Sequence, residues 1–313
     1  PNDLVMRLVF MVTGEISEAT FADALTKKHE VVGLVTQPDR PVGRKQVMTA
    51  PRVKEIALES GIPLIQPESV REAEALDQIR QWNPEVIVVM AYGQILPQAL
   101  LDIPSRAIIN LHASLLPKYR GASCIQAALK NGDAETGWSV IHVVKRLDAG
   151  NLILQKVVSI LEGETGGELH DRLAQVGPAV CQAALQILEN GPVEGDAQDE
   201  SLQTYVPKLG RQDGCLNWSK PARELECLVR AFHPWPGTSA GLGSKKMKIF
   251  PPAGIGEGQG QPGELLEVGE ETIEIACGSG SLILGEVQLD GGRRMNGGEL
   301  ARGHLELLRV GLK

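Results

Sequence analysis

The chain is poor in aromatic residues, in basic residues and in long apolar runs. Four Phe, three Tyr and four Trp among 313 residues are too few for a stacking platform along a single-stranded nucleic acid. No apolar run approaches the roughly 18 residues needed to span a bilayer, and no membrane partner is expected. The first residues have no basic stretch, apolar core and small-residue cleavage site, so a cytoplasmic protein is expected. The five cysteines, Cys124, Cys181, Cys215, Cys227 and Cys277, include no Cys-x-x-Cys pair. Buried free thiols are therefore expected rather than a disulfide framework or a zinc site. The six histidines form no His-x-x-x-His pair beside a carboxylate, so no metal is implied. The first apolar run ends Phe10-Met11-Val12-Thr13-Gly14-Glu15, without a Gly-x-Gly-x-x-Gly loop, and a Gly-x-x-x-x-Gly-Lys-Ser/Thr loop is also missing. Both absences disfavour a dehydrogenase or a P-loop nucleotidase. With 31 Lys and Arg against 39 Asp and Glu, the net charge of -8 argues against nucleic-acid binding through the overall field. A local basic patch remains open.

What is present is a globular composition, 42% hydrophobic and 22% charged, on a chain long enough for about two domains. Dense apolar runs at 4–12, 31–36, 85–91 and 107–112 read as buried strands. Between them, residues 51–60 and 69–81 read as helices closed by Gly or Pro punctuation. This alternation predicts βαβ units and a mostly parallel sheet of Rossmann-like type, with ligands bound beyond the carboxyl ends of the strands. Further strands are expected at 138–144 and 152–160, followed by a long helix at 165–189. A first domain then covers 1–205, a linker with a short helix at 221–232 covers 206–240, and 241–313 forms a second domain. Its short strand-like runs at 247–250, 263–268, 272–277 and 281–289, with a terminal helix at 298–308, suggest a small β-barrel.

The densest polar cluster at an apolar strand end is Asn110-Leu111-His112-Ala113-Ser114. Strand alternation places Asn110, His112 and Ser114 on one side if the strand persists that far. An amide donor two residues from an imidazole suits a carbonyl reaction, because both can meet an oxygen that gains negative charge while histidine moves a proton. The same residues also suit a helix N-cap and an inert, hydrogen-bonded histidine. Asp148, in Leu147-Asp148-Ala149-Gly150, falls in a turn at another strand end, where its carboxylate can orient the imidazole. An Asp before Ala-Gly is equally an ordinary turn residue.

Taken together these strings resemble the formyltransferases that use 10-formyltetrahydrofolate, most closely those acting on methionyl initiator tRNA. The residues that carry the resemblance are Asn-x-His-x-Ser-Leu-Leu-Pro-x-x-Arg-Gly-Ala at 110–122, Asp-x-Gly at 148–150 and Ala-Tyr-Gly-Gln-Ile-Leu-Pro at 91–97. To these are added Thr-Gln-Pro-Asp-Arg-Pro-x-Gly-Arg at 36–44 and Arg-Ala-Phe-x-Pro-Trp-Pro at 230–236. The resemblance implies an oligonucleotide-binding-type (OB-like) barrel for the second domain and a catalytic trio of Asn110, His112 and Asp148. In that trio Asn110 and His112 stabilise the oxyanion while Asp148 orients and charges the imidazole, with no covalent enzyme intermediate. It further implies folate contacts from Ser114, Leu115, Leu116 and Pro117, and from Tyr92, Gly93, Gln94, Ile95 and Leu96, whose backbone suits a flat pterin.

Between Pro38 and Lys54 the chain has Arg40, Arg44, Lys45, Arg52 and Lys54 against the single acid Asp39. By its Pro and Gly content this segment reads as a loop up to Pro51. By resemblance Arg40, Arg44 and Lys45 meet the tRNA acceptor end; a solvated basic loop is the bland reading. By the same resemblance, Lys245, Lys246, Lys248, Arg293, Arg294 and Arg302 would give the barrel a basic face for the tRNA body, a role that composition alone does not assign. Two strings depart from the family pattern. Val12-Thr13-Gly14 replaces a Gly-Thr-Pro turn, which strains Val12 if that site needs positive φ, and Ser123-Cys124 replaces Ala-Pro. A monomer is expected. The alternatives are a formyltransferase acting on an amino sugar nucleotide and a non-catalytic tRNA-binding protein.

Overall fold

The computed structural model describes residues 4–43 and 45–313, so Arg44 lies outside the described residues. Two compact units are present: one comprises residues up to Gly121 with Thr136–Val158 and His170–Tyr205, the other Ala122–Glu135, Ser159–Leu169 and Val206–Lys313.

The first unit is built on a seven-stranded sheet. Its order is Leu152–Ser159, Glu135–His142, Ala107–His112, Val86–Met90, Arg7–Val12, Glu30–Val35 and Leu64–Ile65. The last five run parallel, as their near-continuous apolar sequences require, because helices cover both faces. Glu135–His142 pairs antiparallel to Ala107–His112, which makes the sheet mixed but mostly parallel. In the Ala73–Trp82 helix the buried residues are Ala75, Leu76, Ile79 and Trp82, spaced as one helical face. Trp82 lies over Gly33, where a Cβ would come within 2.4 Å of its ring. On another strand Trp138 is buried and its Nε1 donates to the Leu173 carbonyl at 3.0 Å.

The second unit holds a six-stranded antiparallel sheet ordered Thr238–Leu242, Lys245–Gly256, Ser281–Leu289, Ile273–Ala276 and Leu265–Val268, with Arg294–Asn296 paired to Ser281–Leu289. Met247, Ile249, Ile273, Ile275, Leu282, Leu284 and Val287 form its core with Leu225 and Val229 of the Ala222–Ala231 helix and Leu300 and Leu308 of the terminal helix. Asn296 caps that terminal helix, Gly297–Val310, by accepting from the Glu299 N–H at 2.7 Å.

Several boundaries differ from the sequence expectation for physical reasons. Residues 38–50 are not simply a loop, since Arg40–Val42 and Val47–Thr49 pair as an antiparallel ribbon whose side chains are all exposed. Lacking a buried face, the ribbon has no hydrophobic alternation to give it away. The run at 247–250 belongs to a twelve-residue strand that continues through Pro251-Pro252. Proline normally ends a strand, but here the pair sits where the register shifts between Phe250 and Ala253, at a bulge needing no ladder N–H. Val12 remains in the first strand rather than adopting positive φ. Cys124, Cys181, Cys227 and Cys277 are buried free thiols while Cys215 is exposed. Burial pushes Cys181 up to about 12 and Cys277 up to about 11. Among the described residues, no helix is long and apolar enough to cross a membrane.

Candidate active site

The Ala107–His112 strand is apolar through Ile109 and then presents Asn110 and His112 at its carboxyl end. Ser114 N–H donates back to the His112 carbonyl at 2.9 Å, a tight turn that ends the strand. Ser114 therefore does not continue the alternation with Asn110 and His112, as the sequence had suggested. It is wholly buried, and its hydroxyl donates to the Lys118 carbonyl at 2.7 Å.

Asp148 stands in a left-handed conformation, φ 49°, which Asp tolerates better than most residues. Its carboxylate draws the site together. Oδ1 accepts from Asn110 Nδ2 at 3.3 Å, and Oδ2 accepts from the Gly121 N–H at 2.9 Å while facing His112 Nδ1 at 3.7 Å. The other ring nitrogen, Nε2, donates to the Tyr119 carbonyl at 2.9 Å. With Nε2–H committed to a carbonyl, Nδ1 meets the carboxylate favourably only when it also bears a proton, so the arrangement suits an imidazolium. The imidazole is 7% exposed and the carboxylate 10%, which keeps the attraction largely unscreened. Gly150 is required because a Cβ there would lie 1.7 Å from the His142 carbonyl oxygen. Thus the Asp-x-Gly string reflects a close backbone approach.

The segment 114–117 is held from beneath. Ser139 Oγ accepts from the Leu116 N–H at 2.9 Å and donates to the Ser114 carbonyl at 2.7 Å, and Gln155 Nε2 donates to the Leu116 carbonyl at 2.9 Å. Leu116 is buried; Leu115 and Pro117 are partly exposed. The neighbouring strand Val86–Met90 places Val89 opposite Asn110, so the 91–96 loop leaves the sheet beside His112. Within that loop Ala91 and Gly93 have positive φ and Ile95 is 70% exposed. Tyr92 points away, buried with Val70, Leu76 and Ile79, and burial raises its phenol above the ordinary range. Gln94 is committed to the preceding turn, accepting from the Val70 N–H at 2.8 Å and donating to the Glu68 carbonyl at 3.3 Å. Hence this loop offers a ligand backbone groups and the side chain of Ile95, while Leu96 packs partly buried against the core cluster of Tyr92; exposed backbone beside an apolar side chain fits a flat heterocycle.

Arg40 and Lys45 are exposed on the ribbon. Arg40 pairs with Glu68 at 2.7 Å, Lys54 with Asp39 at 2.8 Å, and Arg52 with Glu55. Glu55 and Glu68 lie outside the segment counted from sequence, so the local positive field is weaker than that count implied. Exposed pairs of this kind contribute little to stability. In the second unit Arg294 stacks on Phe250 at 3.7 Å and pairs with Glu286 at 3.0 Å, while Lys245, Lys246 and Lys248 are exposed. Among the described residues, no three His, Cys, Asp or Glu side chains converge as a metal site.

Sequence reasoning missed the Tyr119 carbonyl, the Gly121 N–H, Ser139 and Gln155. Backbone groups leave no mark in composition. Ser139 left one, as a polar residue between Trp138 and Val140 in a mostly apolar run.

Residues 6–185 match the family model described as formyl transferase, and residues 208–305 the model described as formyl transferase, C-terminal domain. The chain belongs to the formyl transferase family. A methionyl-tRNA formyltransferase of Akkermansia muciniphila is 49% identical over 308 residues, spanning 96% of this chain and 98% of that one. One of Pseudomonas fluorescens is 44% identical over 306 residues, 98% of this chain and 96% of that one. Among solved structures, an N-formyltransferase of Helicobacter canadensis in complex with folinic acid and dTDP-3-aminofucose superposes with TM-score 0.65 at 16% identity, covering 90% of this chain and 99% of that one. HypX from Aquifex aeolicus in complex with tetrahydrofolic acid gives 0.64 at 15% identity; it covers 97% of this chain, which spans 48% of that one. At such identities these structures speak for the shared fold alone.

Proposed function

We propose that this formyl transferase moves the formyl group of 10-formyltetrahydrofolate onto the free amino group of methionyl initiator tRNA. The observation that carries the reaction is the convergence of Asn110, His112 and Asp148 at one strand end. What supports the acceptor is near-full-length identity of 42–49% to proteins named methionyl-tRNA formyltransferases. The folate, when bound, supplies the formyl carbon that the amine attacks. Asn110 Nδ2 has a second hydrogen beyond the one given to Asp148, and it and the imidazolium stabilise the charge growing on the formyl oxygen. Asp148 holds the imidazole in its charged, oriented form; an imidazolium has no lone pair left to accept a proton, so the Asp148 carboxylate takes the proton of the attacking amine and returns it to the departing folate nitrogen.

Leu115, Leu116, Pro117 and the backbone of Tyr92–Leu96 hold the folate, with Ser114 acting through the turn it braces. Arg40, Arg44 and Lys45 meet acceptor-end phosphates. Residues 1–205 serve as the catalytic domain, 206–240 as the linker, and 241–313 as an OB-like barrel that positions the tRNA. In support of a barrel, Leu312 bridges Leu242 on one outer strand and its N–H donates to the Gly263 carbonyl at 2.8 Å, two residues before the other outer strand.

The test is formylation with several acceptors at equal 10-formyltetrahydrofolate. Product is expected with methionyl initiator tRNA. Product only with an amino sugar nucleotide overturns the acceptor, and none with any amine returns the protein to a binding role.

A further inference from the structure

The turn that bears Asp148 is gripped from a distant part of the chain. Gln198, 8% exposed, donates through Nε2 to the Asp148 carbonyl at 2.9 Å and to the Gly150 carbonyl at 2.8 Å. Its own orientation is fixed by Arg120, 3% exposed, whose Nε and Nη2 donate to Gln198 Oε1 at 3.1 and 2.7 Å. All the hydrogen-bonding capacity of the Gln198 amide is thereby used, with both donors on the Asp148 turn and both acceptor sites on Arg120. Arg120 in turn is held by Glu200 at 2.8 Å and by Gln203 Oε1 at 3.0 Å.

The same short segment reaches the other catalytic group. Arg120 N–H donates to the Thr204 carbonyl at 2.8 Å, and Tyr119 N–H donates to Thr204 Oγ1 at 2.8 Å. Tyr119 supplies the carbonyl that receives His112 Nε2, and Gly121, two residues further on, supplies the N–H on Asp148 Oδ2. Residues 198–204 thus lie as a strap along 119–121 and fix both partners of the His112–Asp148 pair.

We propose that Gln198 is a positioning residue that holds the Asp148 carboxylate toward His112 through its backbone, with Arg120 setting the direction of the Gln198 amide. This rests on the reading of Asp148 as part of the reacting trio. Asp148 sits in a left-handed conformation that costs energy for a residue with a Cβ. Two hydrogen bonds from one amide to carbonyls two residues apart are what select it.

Gln198→Glu separates the two halves of this function. It keeps the acceptors for Arg120 but replaces the donors with a carboxylate oxygen that repels the Asp148 and Gly150 carbonyls. Gln198→Met removes both halves while filling the space. Steady-state kinetics with 10-formyltetrahydrofolate and methionyl initiator tRNA are expected to show kcat reduced about 10- to 100-fold in both variants. KM for each substrate stays near wild type, and Tm falls less in Gln198→Glu than in Gln198→Met because Arg120 remains paired. In single-turnover assays Gln198→Glu adds no further loss to Asp148→Ala, since its effect runs through that carboxylate. A wild-type kcat in Gln198→Glu overturns the proposal, and so does a loss that adds in full to Asp148→Ala. Normal turnover by Asp148→Ala alone overturns the reading of the trio, and the positioning role with it.

Discussion

Asn110 is half-buried at a strand end, and its amide already gives one hydrogen to Asp148. Replacing it by alanine removes a donor to the formyl oxygen while leaving the strand ladder intact. Asn110→Ala is expected to lower kcat by about 100- to 1,000-fold, with Tm little changed; a Tm loss proportionate to the activity loss contradicts a chemical role. A different histidine contributes to acid sensitivity. His29 is buried, accepts the Met6 N–H on Nδ1 at 3.2 Å and presents Nε2 to Glu189 at 3.0 Å. Burial foremost holds its pKa below the ordinary value, against the pull of Glu189. The unfolded chain then takes up the proton first, so stability declines as pH falls below about 6.5, the ordinary histidine value, and the decline stops once the folded-state pKa is passed. Denaturant midpoints between pH 7.5 and 5.5 should fall in the wild type and fall less in His29→Gln. Glu189, held low mainly by Lys28, adds a loss only below the ordinary carboxylate range.

At the scale of elements, the Glu30–Val35 strand and the Ala73–Trp82 helix meet where Gly33 makes room for Trp82. A methyl at Gly33 would push the indole off the sheet, since its Cβ falls 2.4 Å from the ring. Gly33→Ala should cost about 1–3 kcal/mol, measured by urea unfolding, and an unchanged midpoint rules out the close approach. Such elements were legible in sequence because their apolar periodicity is strong. The Ala107–His112 strand agrees residue for residue with its expected bounds, and the long helix agrees to within one residue at its start. The ribbon at 40–49 and the helices Gln98–Leu101 and Cys124–Lys130 were not legible. They are short, and the ribbon buries nothing, so local pattern does not distinguish them from loop.

For the whole molecule, net charge and function point in opposite directions. A chain of net charge -8 is expected to engage tRNA because affinity depends on where cations meet phosphates, not on their sum. Lys45→Ala on the exposed ribbon should raise KM for tRNA and make its dependence on log salt shallower by about one unit. An unchanged slope would assign that lysine to solvent. The sequence by itself determined the alternating strands and helices, the family and the residue types of the site, because periodicity and short motifs are local properties. Only the tertiary structure decided that Ser114 and Tyr92 turn inward and that Arg40, Arg52 and Lys54 of the 38–54 segment are spent in ion pairs. It alone brought Gly121, Tyr119 and Gln198 onto His112 and Asp148. Those contacts join residues up to 50 positions apart, many through backbone atoms that every sequence shares, so only the folded chain could bring them together.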